Sequence, residues 1–253
     1  MASPRTWTAA LMVIGDELLS GRTQDKNVAQ VAVWLNDQGI RLAEVRIVPD
    51  DSARIGDTVN ELRAAHDYVL TTGGIGPTHD DITVDAIAAA FGVPVVVDDQ
   101  ARAILTEYYR DRPGGLTEAR LRMARVPQGS ELIPNPTSGA PGVRIENVYI
   151  MAGVPHIAAS MLQALTGKLE GGRPVVSVTV GARVPESDVA DLLRETEAAH
   201  PGVAIGSYPF FKDGLYGANF VIRSEDEALA KVTSDDLSQR LRNVGFEPVE
   251  GGI

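Results

Sequence analysis

Glycines and acidic residues follow a short apolar segment in an order that suits phosphate chemistry. Tyr68–Thr72 is apolar and β-prone, which predicts a buried strand. Gly73, Gly74 and Gly76 come next, and glycine lets backbone N–H groups approach a ligand closely. Residues 78–81 fit a capping box and precede apolar residues at helical spacing. Strand, glycine turn and helix N-terminus together predict an anion site.

Two acidic residues restrict what this turn can bind. Asp80 and Asp81 stand where a simple phosphate site would not place negative charge. Either they coordinate a divalent cation (Mg2+ or similar) that bridges to the phosphates, or one of them transfers a proton. A third interpretation is that both lie in the first helical turn, where the helix dipole favours acidic side chains. The glycine turn directly before them favours the first two.

More acidic residues follow two other predicted strands. Residues 9–14 and 40–48 are apolar enough to predict buried strands. The residues after them are Gly15, Asp16 and Glu17 in the first case and Asp50 in the second. In a parallel sheet these residues would share one edge with the glycine turn. From spacing alone, Asp50 is a turn residue after a proline.

The elements around these residues predict an α/β fold. Between the strands, apolar residues recur at helical spacing, which predicts a mostly parallel sheet with helices on both faces. These residues are Val28, Val31, Ala32 and Leu35 in a first helix that begins at Asn27, and Ile55, Val59 and Leu62 in a second helix. A proline- and glycine-rich segment at 126–142 predicts a functional loop. The remaining predicted elements of this half are a strand at 93–97, helices at 98–112 and 116–124, a hairpin at 143–150 and a helix at 157–167.

The last third of the chain predicts a second domain. Gly171 and Gly172 suggest a hinge, which divides the chain into domains at 1–170 and 171–253. Strands and helices in the order β-α-β-β-α-β over residues 175–249 predict a ferredoxin-like α+β domain. It has no Gly-x-x-Gly loop between helices and no basic face, so packing or dimerisation is favoured over RNA binding.

Composition narrows the possible partners. The chain has 253 residues, a net charge of −11 and no cysteine. The charge argues against nucleic acid or an anionic membrane as partner, and the lack of cysteine excludes disulfides and thiolate metal sites. The only apolar run near the N-terminus is too short for a signal peptide or membrane span, so we expect a cytoplasmic protein.

The segment from Thr72 to Thr83 resembles the signature of the molybdopterin-binding fold of the MoaB/Mog proteins and the competence/damage-inducible protein A (CinA) family. With its His-Asp-Asp sequence at 79–81, it is most similar to CinA and to the molybdopterin-binding-like domain of FAD synthases. Residues 15–27, 48–50 and 135–142 also match the CinA pattern, although Ala152 replaces a usual proline. The resemblance implies a three-layer MoaB/Mog-like domain and a KH-like domain. The deamidase domain that CinA proteins often carry is not expected.

The resemblance also implies roles for individual residues. In the Mog branch, the aspartates corresponding to Asp50 and Asp81 are the ones implicated in catalysis, and we add Asp80 as a further catalytic candidate. Asp80 and Asp81 are the candidate metal ligands. The expected substrate-binding residues are Gly15, Asp16, Glu17, Asn27, Gly73, Gly74, Gly76, Pro77, Thr78, Asn135, Ser138, Gly139, Pro141, Gly142 and Gly153.

Three functions remain open from the sequence. The favoured one is a metal-dependent pyrophosphatase acting on a nucleotide diphosphate such as ADP-ribose or FAD. The second is a molybdopterin-binding protein of molybdenum-cofactor synthesis, with adenylyl transfer as its chemistry. The third is a non-catalytic binding or scaffold module. In the first two cases the partner is a phosphate-bearing small molecule, and the family implies at least a homodimer.

Overall fold

A computed structural model describes residues 5–253, which form two compact units with the division after Gly172. The first unit alternates strands and helices as predicted. In chain order it contains β1 (Trp7–Ile14), α1 (Asp16–Leu19), α2 (Asn27–Asp37), β2 (Ile40–Val48), α3 (Ser52–Ala65), β3 (Tyr68–Thr72), α4 (Thr83–Phe91), β4 (Val95–Val97), α5 (Asp99–Tyr109), α6 (Glu118–Leu121), β5 (Arg125–Pro127), β6 (Glu131–Ile133), β7 (Gly142–Ile145), β8 (Val148–Met151) and α7 (Pro155–Leu165).

Six of these strands form one mostly parallel sheet, which confirms the predicted fold class. The strand order is β2-β1-β3-β8-β7-β6. The strands β2, β1, β3 and β8 are parallel to one another, whereas β7 and β6 are added antiparallel at one edge. The chain passes from β1 to β2 on one side and then to β3 on the other side of β1. This reversal places a crevice at the carboxyl ends of β1 and β3, where open α/β sheets bind ligands.

Helices cover both faces of the sheet, as the apolar spacing predicts. On one face α3 and α4 contribute Ile55, Val59 and Ile87 to the core. On the other face α2 and α7 contribute Val31 and Leu162. These two buried layers hold the strands in place, and they therefore also hold the loops at the carboxyl ends of the strands.

Several boundaries differ from the sequence prediction. Helix α4 begins at Thr83 and has no side-chain cap, so residues 78–81 do not cap it. Thr83 is instead tied into the glycine turn, because its N–H and hydroxyl donate to the carbonyl oxygens of Gly74 and Gly73. The predicted helix at 116–124 is one short α-helical turn followed by a 3-10 turn.

The segment 126–142 is also more regular than predicted. It contains β6 and the end of β5, and Gly142 lies in β7 rather than in a loop. Strands of three residues carry too little periodicity to be recognised in a sequence. Gly172 donates its N–H to the carbonyl oxygen of Gly39, so the glycine pair suggested as a hinge packs on the first unit.

The second unit has the predicted β-α-β-β-α-β order. It consists of β9 (Val176–Ala182), α8 (Ala190–Ala199), β10 (Ala204–Lys212), β11 (Leu215–Ser224), α9 (Glu227–Asn243) and β12 (Pro248–Glu250). Its antiparallel sheet has the order β10-β11-β9-β12, which is the split βαβ arrangement. A 3-10 turn at Glu186–Val189 precedes α8. Within residues 5–253, no helix is long and apolar enough to cross a membrane.

Candidate functional site

The glycine turn after β3 leaves successive backbone N–H groups free. Gly73 donates to the carbonyl oxygen of Met151 at 3.1 Å, which anchors the start of the turn to β8. Among the described residues, the N–H groups of Gly74, Ile75 and Gly76 donate to no protein acceptor. Consecutive free N–H groups in a glycine turn form a concave anion site. The structure therefore leaves backbone donors free in the turn that the sequence predicts to bind an anion.

Asp81 holds the turn that follows the glycines. One oxygen of its carboxylate accepts the N–H of Thr78 at 2.8 Å and the Thr78 hydroxyl at 2.6 Å. The carboxylate packs so closely against Gly76 that a Cβ there would lie 2.6 Å from it. Asp80 is exposed, and the hydrogen bond with the Thr78 hydroxyl lowers the pKa of its carboxyl. Thr78 therefore orients both carboxylates.

Asp50 lies after β2 and caps the short helix α1. Its carboxylate accepts the N–H of Asp16 at 3.0 Å. Burial raises the pKa of the Asp50 carboxyl, and the negative charges of Asp16, Glu17 and Asp80 raise it further. The N–H of Asp16 opposes this shift because it stabilises the carboxylate. A carboxyl whose pKa lies above its usual range is suited to accept a proton nearer neutral pH.

Replacing Glu17 by Gln is expected to lower the pKa of Asp50, because one of the neighbouring negative charges is removed. The titration of the Asp50 carboxyl can be followed by 13C NMR in the native chain and the variant. The exposed Glu131 lies in β6, at the opposite edge of the sheet from β2, and provides the matched control Glu131→Gln, which should leave the titration unchanged. An Asp50 titration that does not move in Glu17→Gln would contradict the electrostatic account.

One cavity of about 590 Å3 brings most of the predicted residues together. This size is typical of small-molecule sites, which range from about 300 to 1,000 Å3. The predicted residues in its lining are Gly15, Glu17, Asp50, Gly73, Gly74, Gly76, Pro77, Asp80, Asp81, Asn135, Ser138 and Gly153. They come from the carboxyl ends of β1, β2, β3 and β8 and from the loop before β7, as parallel strand packing predicts.

Six predicted substrate-binding residues lie outside this lining, and four of them support it. Asp16 donates its N–H to the carboxylate of Asp50. Thr78 donates hydrogen bonds to the carboxylates of Asp80 and Asp81. Asn27 is buried and donates its amide to the carbonyl oxygen of Gly153 at 2.8 Å. Gly139 donates its N–H to the carbonyl oxygen of Asn135, a lining residue, at 3.0 Å. Pro141 and Gly142 lie behind the cavity, at the start of β7.

Asn135 lines the cavity, but the loop around it uses its side-chain amide. The amide nitrogen donates to Ser138 Oγ at 2.5 Å and to the carbonyl oxygen of Ala140 at 2.7 Å. The amide oxygen accepts the N–H groups of Thr137 and Ser138. Asn135 therefore shapes the loop, and Ser138 is the polar side chain of that loop in the lining.

The sequence does not reveal the apolar part of the lining. Tyr109 at the end of α5 and Met123 in the 3-10 turn reach the cavity by long-range packing. No local motif marks such residues, because their spacing is that of ordinary core residues. The other unpredicted lining residues are Ile14, Thr23, Ile75, Ala140, Ala152, Val154, Pro155, Ile157 and Met161.

The cavity lining contains no histidine. His79 is fully exposed beside Asp80, and His156 is exposed in α7. In residues 5–253, no group of three or more histidine and acidic side chains is close enough to hold a metal ion by itself. A cation at this site would need further ligands from water or from a bound phosphate.

The parallel sheet, the glycine turn and the crevice define a MoaB/Mog-like α/β domain, which is followed by a small antiparallel domain. Residues 10–171 match the family described as "Probable molybdopterin binding domain", and residues 174–250 match "FAD synthase, middle domain". The crystal structure of the protein CinA from Thermoplasma acidophilum is 32% identical, with a TM-score of 0.60 over 64% of this chain and 98% of that one. The chain belongs to the molybdopterin-binding domain family and, within it, to the CinA family.

Two relatives illustrate the extent of the similarity. A protein of Pyrobaculum calidifontis is 35% identical over 212 residues, which cover 80% of each chain. A CinA-like protein of Geobacter metallireducens is 34% identical over 258 residues, which cover 96% of this chain and 61% of that protein. The chain therefore spans about three fifths of the length of that CinA-like protein.

Proposed function

We propose that the cavity binds a nucleotide diphosphate, such as ADP-ribose or FAD, and hydrolyses its diphosphate bond. One observation carries this proposal. The free N–H groups of residues 74–76 lie in the wall of the same cavity as the carboxylates of Asp50, Asp80 and Asp81. Backbone donors suit the non-bridging phosphate oxygens, and a carboxylate suits the proton of an attacking water.

The remaining lining supports a ligand that has a ring system beside its phosphates. Tyr109, Met123, Ile157 and Met161 give the cavity a largely apolar surface. Planar rings such as adenine or flavin bury well against aromatic and methionine side chains. The match of residues 174–250 to the FAD synthase middle domain also favours a flavin dinucleotide among the possible ligands.

Asp50 is the proposed general base. In this reaction the oxygen of water bonds to phosphorus, the bridging P–O bond breaks, and the proton of the water passes to the Asp50 carboxylate. Its raised pKa suits it to this step better than Asp80, whose pKa is lowered. Asp81 holds the turn by accepting the N–H of Thr78, and the Thr78 hydroxyl contacts the carboxylates of both Asp80 and Asp81.

A divalent cation is part of the proposal, and the donor set is compatible with it. Mg2+ binds oxygen ligands and is often held by one or two carboxylates together with substrate phosphates. Asp80 and Asp81 would provide those carboxylates, and Asp80 has the more exposed side chain of the two. When bound, the cation would neutralise the charge that develops on the transferred phosphorus.

Two other functions have specific support. The match to the molybdopterin-binding family favours a pterin phosphate as ligand, with adenylyl transfer as the chemistry. The hydrogen bonds that Asp50 and Asp81 accept from the surrounding backbone favour a binding module in which the acids only shape loops. Each alternative predicts no hydrolysis of ADP-ribose or FAD.

Release of AMP from ADP-ribose and FAD tests the proposal directly. We expect hydrolysis by the native chain with Mg2+, Mn2+ or Co2+, and a loss of about 100-fold or more in Asp81→Asn, because this variant lacks one of the two carboxylates proposed to hold the cation. The exposed Asp111 provides the matched control Asp111→Asn, which should retain the native rate.

The absence of AMP with all three metals would rule out hydrolysis of these two substrates. Binding of a pterin phosphate without turnover would then favour the molybdopterin alternative. Equal rates in the native chain and in Asp81→Asn would show that Asp81 has no role in hydrolysis, even if hydrolysis occurs.

A further inference from the structure

The cavity lacks a positive charge for the ligand proposed above. Among residues 5–253, its lining contains the carboxylates of Glu17, Asp50, Asp80 and Asp81, but no lysine, arginine or histidine. A phosphate placed among four carboxylates would be repelled unless a cation compensates for them. Backbone N–H groups provide only partial charges. Besides the divalent cation of the proposed function, a cationic side chain close to the glycine turn would compensate for this negative charge.

Arg122 is placed to provide that charge. It lines a small cavity of about 20 Å3 against the same glycine turn. The small cavity and the main cavity share Gly74, Ile75, Gly76, Asp81 and Met123 in their linings, so both cavities contact the same glycine turn. The small cavity has room for about one water molecule, so a phosphate would have to bind in the larger cavity, and the long Arg122 side chain would have to extend past the glycine turn to reach it.

The Arg122 side chain has no partner among the described residues. Its Nε is buried without a hydrogen-bond partner, and its guanidinium takes part in no ion pair within residues 5–253. Arg125, which lines the same small cavity, is paired with Asp85. A buried guanidinium nitrogen without an acceptor is costly, and a bound anion would relieve that cost.

We propose that Arg122 extends to the glycine turn and binds the phosphate group of the ligand there, as a cationic side chain of this site. The guanidinium provides a planar set of donors that fits phosphate oxygens, together with a full positive charge. The inference uses the ligand class of the proposed function, a phosphate compound, but requires neither hydrolysis nor a metal ion.

Binding of inorganic pyrophosphate, measured by calorimetry in the presence of EDTA, tests this assignment without turnover. We expect Arg122→Gln to weaken binding by roughly 10- to 100-fold, the effect of losing one charged hydrogen-bond partner. The matched control is Arg22→Gln. Arg22 is exposed beside Thr23, which lines the cavity, and is likewise without an ion pair among residues 5–253. It should leave the affinity within about twofold, as expected for a surface charge.

Two further measurements distinguish a binding role from a structural one. Salt should weaken pyrophosphate binding more steeply in the native chain than in Arg122→Gln, since screening acts on the missing charge. Arg122→Lys keeps the charge but loses the guanidinium fork, so an intermediate affinity is expected. The thermal unfolding midpoint of each variant shows whether it is folded. If Arg122→Gln does not fold, the pyrophosphate affinity of Arg122→Lys decides between a binding role and a structural role.

Three results would overturn the assignment. They are native-like pyrophosphate affinity in a folded Arg122 variant, an equal loss in Arg22→Gln, and no binding by the native chain in EDTA. Failure of the hydrolysis assay alone would leave the assignment intact, because pyrophosphate binding is measured without turnover.

Discussion

Replacing Asp50 by Asn is expected to lower the rate of diphosphate hydrolysis by about 100- to 10,000-fold, the usual contribution of a general base. Asparagine has nearly the same shape, and its amide oxygen can still accept the N–H of Asp16, which Asp50 accepts at 3.0 Å. The cavity should therefore keep its form and lose only the proton acceptor. Affinity for the substrate, measured separately, should change by no more than about threefold, because removal of a negative charge does not oppose phosphate binding.

The adjacent residue Asp51 provides a close control. Its side chain accepts the N–H of Arg54 at 2.9 Å and caps helix α3. Asn is an equally good N-cap residue, so Asp51→Asn should retain both stability and rate. A large loss of rate in Asp51→Asn, or a native rate in Asp50→Asn, would show that the proton is accepted elsewhere. The two variants separate a charge in the cavity from a charge that only caps a helix.

Much of the fold follows from local sequence patterns. Strands such as Tyr68–Thr72 are continuous apolar runs that end at glycine, and helix α2 has apolar residues on one face. Such patterns specify both the type of each element and the side that faces the core. The position of the site at the carboxyl edge of the sheet then follows from parallel strand packing, which brings Gly15, Asp50 and the glycine turn together.

The details of the site depend on contacts that no local pattern contains. Asn27 and Asn135 were predicted to bind substrate, but their amides hold the Gly153 loop and the 135–140 loop. Arg122 had no motif at all, and its placement against the glycine turn results from the packing of the 3-10 turn. A residue type indicates the chemistry available, but tertiary packing decides which partner uses it.

Replacing Gly73 by Ala is expected to destabilise the first unit by roughly 3–5 kcal/mol, because steric overlap adds to backbone strain. Gly73 has a φ of 109°, which disfavours residues with a side chain. A Cβ at this position would also overlap with the carbonyl oxygen of Ile14 at the end of β1. Gly73 directly follows β3, and Ile14 is the last residue of β1. The overlap can therefore be relieved only by moving the backbone of one strand away from the other, which separates β1 from β3.

Gly92 provides the control that separates strain from overlap. Its φ is 68° at the end of α4, and a Cβ there would have no atom within 4 Å. Gly92→Ala should therefore cost only about 1 kcal/mol, the cost of a left-handed conformation. Trp7 and Trp34, the only tryptophans in the chain, lie in the first unit, so urea unfolding followed by tryptophan fluorescence reports on that unit.

Pyrophosphate binding by Gly73→Ala, measured below its unfolding transition, connects stability to the site. The ends of β1 and β3 position Gly15 and the free N–H groups of residues 74–76 in one cavity wall. If the two strand ends separate, those groups no longer converge, and binding should be lost while the chain is still folded. Equal stability of the two glycine variants would mean that the strand ends can separate at little cost. The close approach of β1 and β3 would then not be what holds the anion site in place.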